Sequence, residues 1–216
     1  LIAALYHTLN HAVFKALLFL GAGSVLKGAG LRDLGRMGGL IRVMPFTAFF
    51  FLVGALAISA LPPLNGFVSE WLTFQAALLS PALEHGVLRS IIPLAAAALA
   101  LAGALTAMCF VKVFGVAFLG VPRSAEATRG HEASEWEQLG MGWLAVLCVV
   151  LGLAPVWMIG VMDPVALSLL DYSPAYIGMA QNWLWLTPVA PGRASYSPVI
   201  FLAVIAAVVL AAFGLV

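Results

Sequence analysis

Charge is what this chain has least of: only 9% of its 216 residues are Asp, Glu, Lys or Arg, against about 25% in an ordinary soluble domain. With 63% hydrophobic residues and a mean hydropathy of +1.09, too little charge is available to cover so large an apolar mass in water. The chain belongs in lipid. The net charge of +1 supplies no basic surface, which excludes nucleic acid as a partner class. Cysteine is scarce too. Cys109 and Cys148 are alone in separate apolar runs, so neither a disulfide framework nor a redox C-x-x-C motif is present, and both read as small core residues. No phosphate-cradling loop, nucleophile-base pair, haem motif or redox-cofactor ligand set occurs. Gly21-Ala22-Gly23 does not complete a dinucleotide fingerprint. His131-Glu132-Ala133-Ser134-Glu135 lacks the second His of a zinc motif, so no metal site and no catalytic residue is assigned.

The chain does have long apolar runs. A spanning helix needs about 20 mostly apolar residues, and five regions qualify, giving an all-α polytopic transmembrane bundle. They are Leu1 to Leu26, Val43 to Leu79, Ile91 to Leu119, Leu139 to Val161 with a kink expected at Pro155, and Val199 to Val216. The second is interrupted by Leu61-Pro62-Pro63-Leu64-Asn65-Gly66. Proline removes a backbone donor and glycine frees the dihedrals, so the helix is expected to break there. Tyr172, Tyr176, Trp183, Trp185 and Tyr196 form an aromatic stretch of the kind found at membrane interfaces. Lys27, Arg32, Arg36, Arg42, Arg123 and Arg129 fall on one side and Arg89 and Arg193 on the other, which orients the first side towards the cytoplasm if the broken region crosses once. Arg42, Arg89 and Arg123 read as interface anchors. The absence of an initial Met and the apolar run at Val216 suggest a piece of a longer protein.

Ionisable residues inside these runs are the candidate functional groups. His7, His11 and Lys15 follow at intervals of four, which places them on one slanted helical stripe. Lys15 lies twelve residues before Lys27, about 18 Å along a helix and beyond snorkelling reach. At that depth a charge costs at least about 2.5–3.5 kcal/mol unless protein or water surrounds it. Two readings follow: polar groups that bind neighbouring helices, or a relay in which imidazoles that titrate near neutrality feed a lysine whose charged form is disfavoured by burial. Glu70 follows the Pro-Pro break, where transporters place ion sites, and is a candidate proton carrier unless the break lies at the surface. Lys112 is either a buried partner or a snorkelling side chain.

Three segments read together carry a resemblance. They are the run from Leu5 to Val25 with His-x-x-x-His-x-x-x-Lys-x-x-Leu-Phe, Arg36-Met37-Gly38-Gly39-Leu40, and Leu61-Pro62-Pro63-Leu64-Asn65-Gly66-Phe67-Val68-Ser69-Glu70-Trp71. They resemble the antiporter-like proton-translocating membrane subunits of complex I, the Mrp antiporters and the energy-converting hydrogenases. The third segment looks most like the hydrogenase-4 component B and formate hydrogenlyase subunit 3 group. The resemblance implies two inverted five-helix repeats, with residues 1–122 forming most of the second and 123–216 a C-terminal transmembrane extension. It also implies that His7, His11 and Lys15 form the central relay, with Glu70 terminating a half-channel; other branches often carry Lys in place of Glu70. By the same resemblance, the partners are other membrane subunits of a redox complex and a peripheral hydrogenase or dehydrogenase arm, in a prokaryotic cytoplasmic membrane. The alternatives are a subunit of NADH-quinone oxidoreductase, a sodium/proton antiporter and a structural membrane anchor.

Overall fold

The computed structural model describes residues 1–170, 185–187 and 195–214. Tyr172, Tyr176, Trp183 and Arg193 lie outside the described residues. Among those described, the chain is helical, without named strands: α1 (Ile2–Ala29), two 3₁₀ turns (Leu34–Arg36 and Leu40–Arg42), α2 (Pro45–Ile58), α3 (Asn65–Leu78), a 3₁₀ turn (Ser80–Ala82), α4 (Gly86–Phe118), α5 (Ala125–Arg129), α6 (Glu135–Leu153), α7 (Pro155–Leu170) and α8 (Pro198–Gly214). Helices α1, α4 and α6 are long and apolar enough to cross a membrane, while α2, α7 and α8 are shorter apolar helices. The 28 residues of α1 extend about 42 Å at 1.5 Å per residue. Helices α2 and α3, at 14 residues each, extend about 21 Å, and neither spans a hydrocarbon core of about 30 Å on its own.

The expected interruption is present, shifted slightly towards the N-terminus. Helix α2 ends at Ile58 and α3 begins at Asn65, with Ala60 in the left-handed region at φ 51°. The helix resumes at Asn65 because the prolines lie behind it and cannot break it again. The fourth apolar region differs from expectation. Pro155 opens a separate helix, so the region is two helices meeting at Ala154 and not one kinked helix. Proline is suited to a first helical turn, where the missing N–H is not needed. Helix α4 starts at Gly86, five residues before the apolar run, and carries Pro93 inside it. Cys148 is buried, but Cys109 is exposed and is no part of the core.

The chain divides into two compact units, residues 1–10, 61–99 and 149–216 forming one, and residues 11–60 and 100–148 the other. In the first, Tyr6, Val68, Leu72, Ile159, Leu186 and Tyr196 form the core. Leu186 and Tyr196 are joined by a pair of backbone hydrogen bonds, and the Tyr196 ring packs on Phe67 and Trp71.

In the second unit, Leu18, Val25, Met44, Phe51 and Phe118 lie within one buried cluster. Its loops explain the Gly-Gly pair. Gly38 and Gly39 have φ of 128° and 63°, donate to the carbonyls of Ala117 and Leu119, and a Cβ on Gly38 would lie 2.4 Å from the Val121 carbonyl oxygen. Only glycine permits both the conformation and the approach.

A proton-bearing cluster at a broken helix

The first unit brings α1 and the break together through side chains that are neutral and buried. Asn10 and Asn65 are both 0% exposed. Asn10 Nδ2 donates to the Asn65 backbone carbonyl at 3.0 Å, and Asn65 Nδ2 donates to Asn10 Oδ1 at 3.3 Å. These bonds fix both amide orientations: flipping Asn65 would set two carbonyl oxygens against each other. They also leave Asn65 Oδ1 buried without a hydrogen-bond donor among the described residues. The interruption is closed from another side by Gly152, where a Cβ would lie 2.2 Å from the Pro63 carbonyl oxygen and 2.9 Å from the Asn65 nitrogen. Irregular backbone at membrane depth is tolerated where protein buries it, and Gly152 permits that burial. Near it, the Tyr6 hydroxyl donates to the Leu151 carbonyl.

One turn into α3, Ser69 is fully buried. Its Oγ donates to the Gly66 carbonyl at 3.1 Å and stands 3.1 Å from His7 Nδ1. The Ser69 hydroxyl and His7 Nδ1 are within hydrogen-bond reach, and which of them donates follows the His7 tautomer. Thr73 in turn donates to the Ser69 carbonyl at 2.9 Å. His7 therefore stands beside the broken helix through a hydroxyl that can donate and accept.

The other expected residues are placed as follows. His11 is exposed and presents its ring edge-on to Phe14, with centroids 5.4 Å apart. Lys15 is half-buried on α1, Glu70 is half-buried on α3 beside Ser69, and Lys112 is exposed on α4. No ion pair involves Lys15, Glu70 or Lys112 among the described residues. The anchoring arginines differ in what they do. Arg42 is exposed, Arg89 turns back to the Leu83 carbonyl, and Arg123 donates to the carbonyls of Leu34, Met37 and Val116 at 3.2–3.3 Å, tying a loop together.

The residues that sequence reasoning missed are Asn10, Gly152 and Tyr6. A polar residue in an apolar helix was the available signal for Asn10. Gly152 carried none, because its partner is about ninety residues away in sequence. His131-Glu132, set aside as a metal site, has another use. Glu132 accepts from the Thr47 hydroxyl at 2.5 Å, the Phe46 amide at 2.8 Å and the Thr47 amide at 3.4 Å, capping the N-terminus of α2.

Residues 1–91 match the transmembrane family of NADH:quinone oxidoreductase and the Mrp antiporter. The chain is 42% identical to hydrogenase-4 component B of Escherichia coli over 82% of this chain and 26% of that protein. It is 40% identical to formate hydrogenlyase subunit 3 of the same organism over 88% of this chain and 31% of that protein. The chain thus spans about a quarter to a third of the length of these relatives. A membrane-bound sulfane sulfur reductase, an archaeal respiratory membrane complex, contains a chain that aligns with a TM-score of 0.72 at 23% identity, over 98% of this chain and 32% of that one. That likeness concerns the fold.

Proposed function

Because the chain belongs to the antiporter-like membrane-subunit family, we propose that it is part of a proton-translocating subunit of a membrane-bound hydrogenase or related redox complex. The observation that carries this reading is the 3.1 Å approach of His7 Nδ1 to Ser69 Oγ, which connects a titratable stripe on α1 to a discontinuous helix. His7 exchanges a proton at one ring nitrogen while the Ser69 hydroxyl holds the other side of the ring. His11 and Lys15 continue the path along α1, Glu70 closes it beyond Ser69, and Lys112 serves on α4. Water in the complete protein spans the intervals that side chains do not reach.

In this reading residues 1–122 form most of the second of two inverted repeats and residues 123–216 a C-terminal extension. The partners are other membrane subunits and a peripheral hydrogenase or dehydrogenase arm, and the site of action is a prokaryotic cytoplasmic membrane. The relatives' names support the hydrogenase branch over the sodium/proton antiporter alternative.

The test is proton uptake by vesicles carrying the full-length complex with Lys15→Met and Glu70→Gln combined. The reading expects redox turnover to persist while the proton gradient disappears. A gradient equal to the parent's would overturn it. A purely structural anchor would instead lose assembled complex, with unchanged proton transport per surviving complex.

A further inference from the structure

We propose that the cavity between the C-terminal half of α1, α2 and the end of α4 binds an anionic phospholipid, with Arg32 holding the headgroup phosphate and the cavity taking an acyl chain. The cavity is about 340 Å³ and lies wholly within the second unit. Ala22 and Val25 of α1, Met37 of the following loop, Phe51 of α2, and Val113 and Phe118 of α4 give it apolar walls. Phe51 and Phe118 belong to the buried core, so the floor is a fixed surface.

Arg32 is the one charged residue lining the cavity, and it is exposed. Its neighbours in the same loop region are committed elsewhere. Lys27 pairs with Glu137 at 2.7 Å and Arg36 with Glu126 at 2.8 Å, whereas Arg32 forms neither hydrogen bond nor ion pair among the described residues. A planar guanidinium matches a phosphodiester in two-pronged fashion. An uncommitted guanidinium at the mouth of an apolar cavity thus supplies both halves of a phospholipid site. The position suits it: the loop after α1 carries the chain's densest run of cations, the side assigned to the cytoplasm, where basic pockets between membrane helices bind anionic headgroups. A protein helix seated in the same cavity would have to bring its own carboxylate to Arg32, which the lipid phosphate supplies without further design.

The experiment takes the full-length protein, stripped of lipid in detergent and returned to nanodiscs of phosphatidylglycerol and phosphatidylcholine in equal parts. Retained lipid is counted by native mass spectrometry for the parent, Arg32→Gln and Ala22→Phe. The proposal expects the parent to retain phosphatidylglycerol preferentially. Arg32→Gln should lower that preference at least about fivefold, the value of one cation at an anionic surface. Ala22→Phe, which fills the cavity and leaves Arg32 in place, should lower retention of both lipids. Equal retention by the parent and Arg32→Gln would overturn the proposal, as would lower retention with Arg32→Gln alone, since that outcome describes a headgroup held without a chain. A density map of the full-length protein showing a polypeptide segment in the cavity would also overturn it.

Discussion

The two units hold their polar groups in opposite ways. Around the break, Asn10 with Asn65 and His7 with Ser69 are joined by side-chain hydrogen bonds, and three of the four residues are fully buried. At the loops of the second unit the links are ion pairs in water: Lys27 with Glu137 and Arg36 with Glu126, where three of the four side chains are half or more exposed. Water can replace a lost partner at the second site but not at the first. A buried polar group left unpaired costs about 1–3 kcal/mol, while an exposed ion pair contributes little. The difference teaches where this sequence is intolerant: at amides and glycines, and less at its charges.

The largest effect should come from Gly152→Ala. The added Cβ lies 2.2 Å from a backbone oxygen, so relief requires moving the break itself. Overpacking costs typically about 1–3 kcal/mol, and the rigid partner puts this change at the upper end. Thermal unfolding of the full-length protein should show it; an unchanged midpoint would mean that the break does not pack against Gly152.

Asn10→Leu should cost about 1–3 kcal/mol, because it removes both side-chain bonds of the buried pair and leaves the Asn65 amide only the longer bond to the Asn10 backbone carbonyl at 3.5 Å. Adding Asn65→Leu should recover part of that loss, since both buried partners are then gone. A double-mutant cycle measures the coupling, and additive losses would contradict a direct pair.

A smaller loss, about 1 kcal/mol, is expected for Glu132→Ala, in keeping with removal of a helix cap. The check is slower hydrogen exchange in the parent at the Phe46 and Thr47 amides, which the Glu132 carboxylate protects.

Glu126→Gln should change least. Its own backbone amide, Ser124 and then Arg36 hold the Glu126 carboxyl below the ordinary value of 4.5. A carboxylate lowered in the folded state stabilises above its unfolded pKa and loses that contribution as pH falls through the folded one. Parent and variant should therefore differ slightly at neutral pH and converge in acid. Added salt should shrink the difference, and a gap that widened in acid would contradict the assignment.

Much of the fold was legible because it is written locally. Apolar runs set the helices, Pro62-Pro63 set the break, and a four-residue spacing set His7, His11 and Lys15 on one stripe. The pieces that were not legible depend on distant partners. Pro155 looked like a kink because sequence alone does not separate a bend from two helices, and Gly86 to Ser90 joined α4 although charge and polarity ended the apolar run at Ile91. His7 and Ser69 meet across a sequence separation of 62, and Asn10 and Asn65 across one of 55. Neither separation leaves a periodic trace. The structure also gives a physical meaning to parts of the motif that spacing did not explain, above all Gly38-Gly39, whose backbone must pass close to Val121 and Pro122.

The most direct test of the account is the number of protons moved per electron by the reconstituted full-length complex carrying His7→Phe, compared with Ser69→Ala and the parent. A relay through His7 predicts that the proton yield of His7→Phe collapses, because proton transfer slowed on the order of a hundredfold, the usual worth of a positioned proton-transfer group, no longer keeps pace with electron transfer. It predicts a smaller fall for Ser69→Ala, which leaves the titratable imidazole in place, with electron transfer retained in both. A parental proton yield in assembled His7→Phe complex would contradict the account.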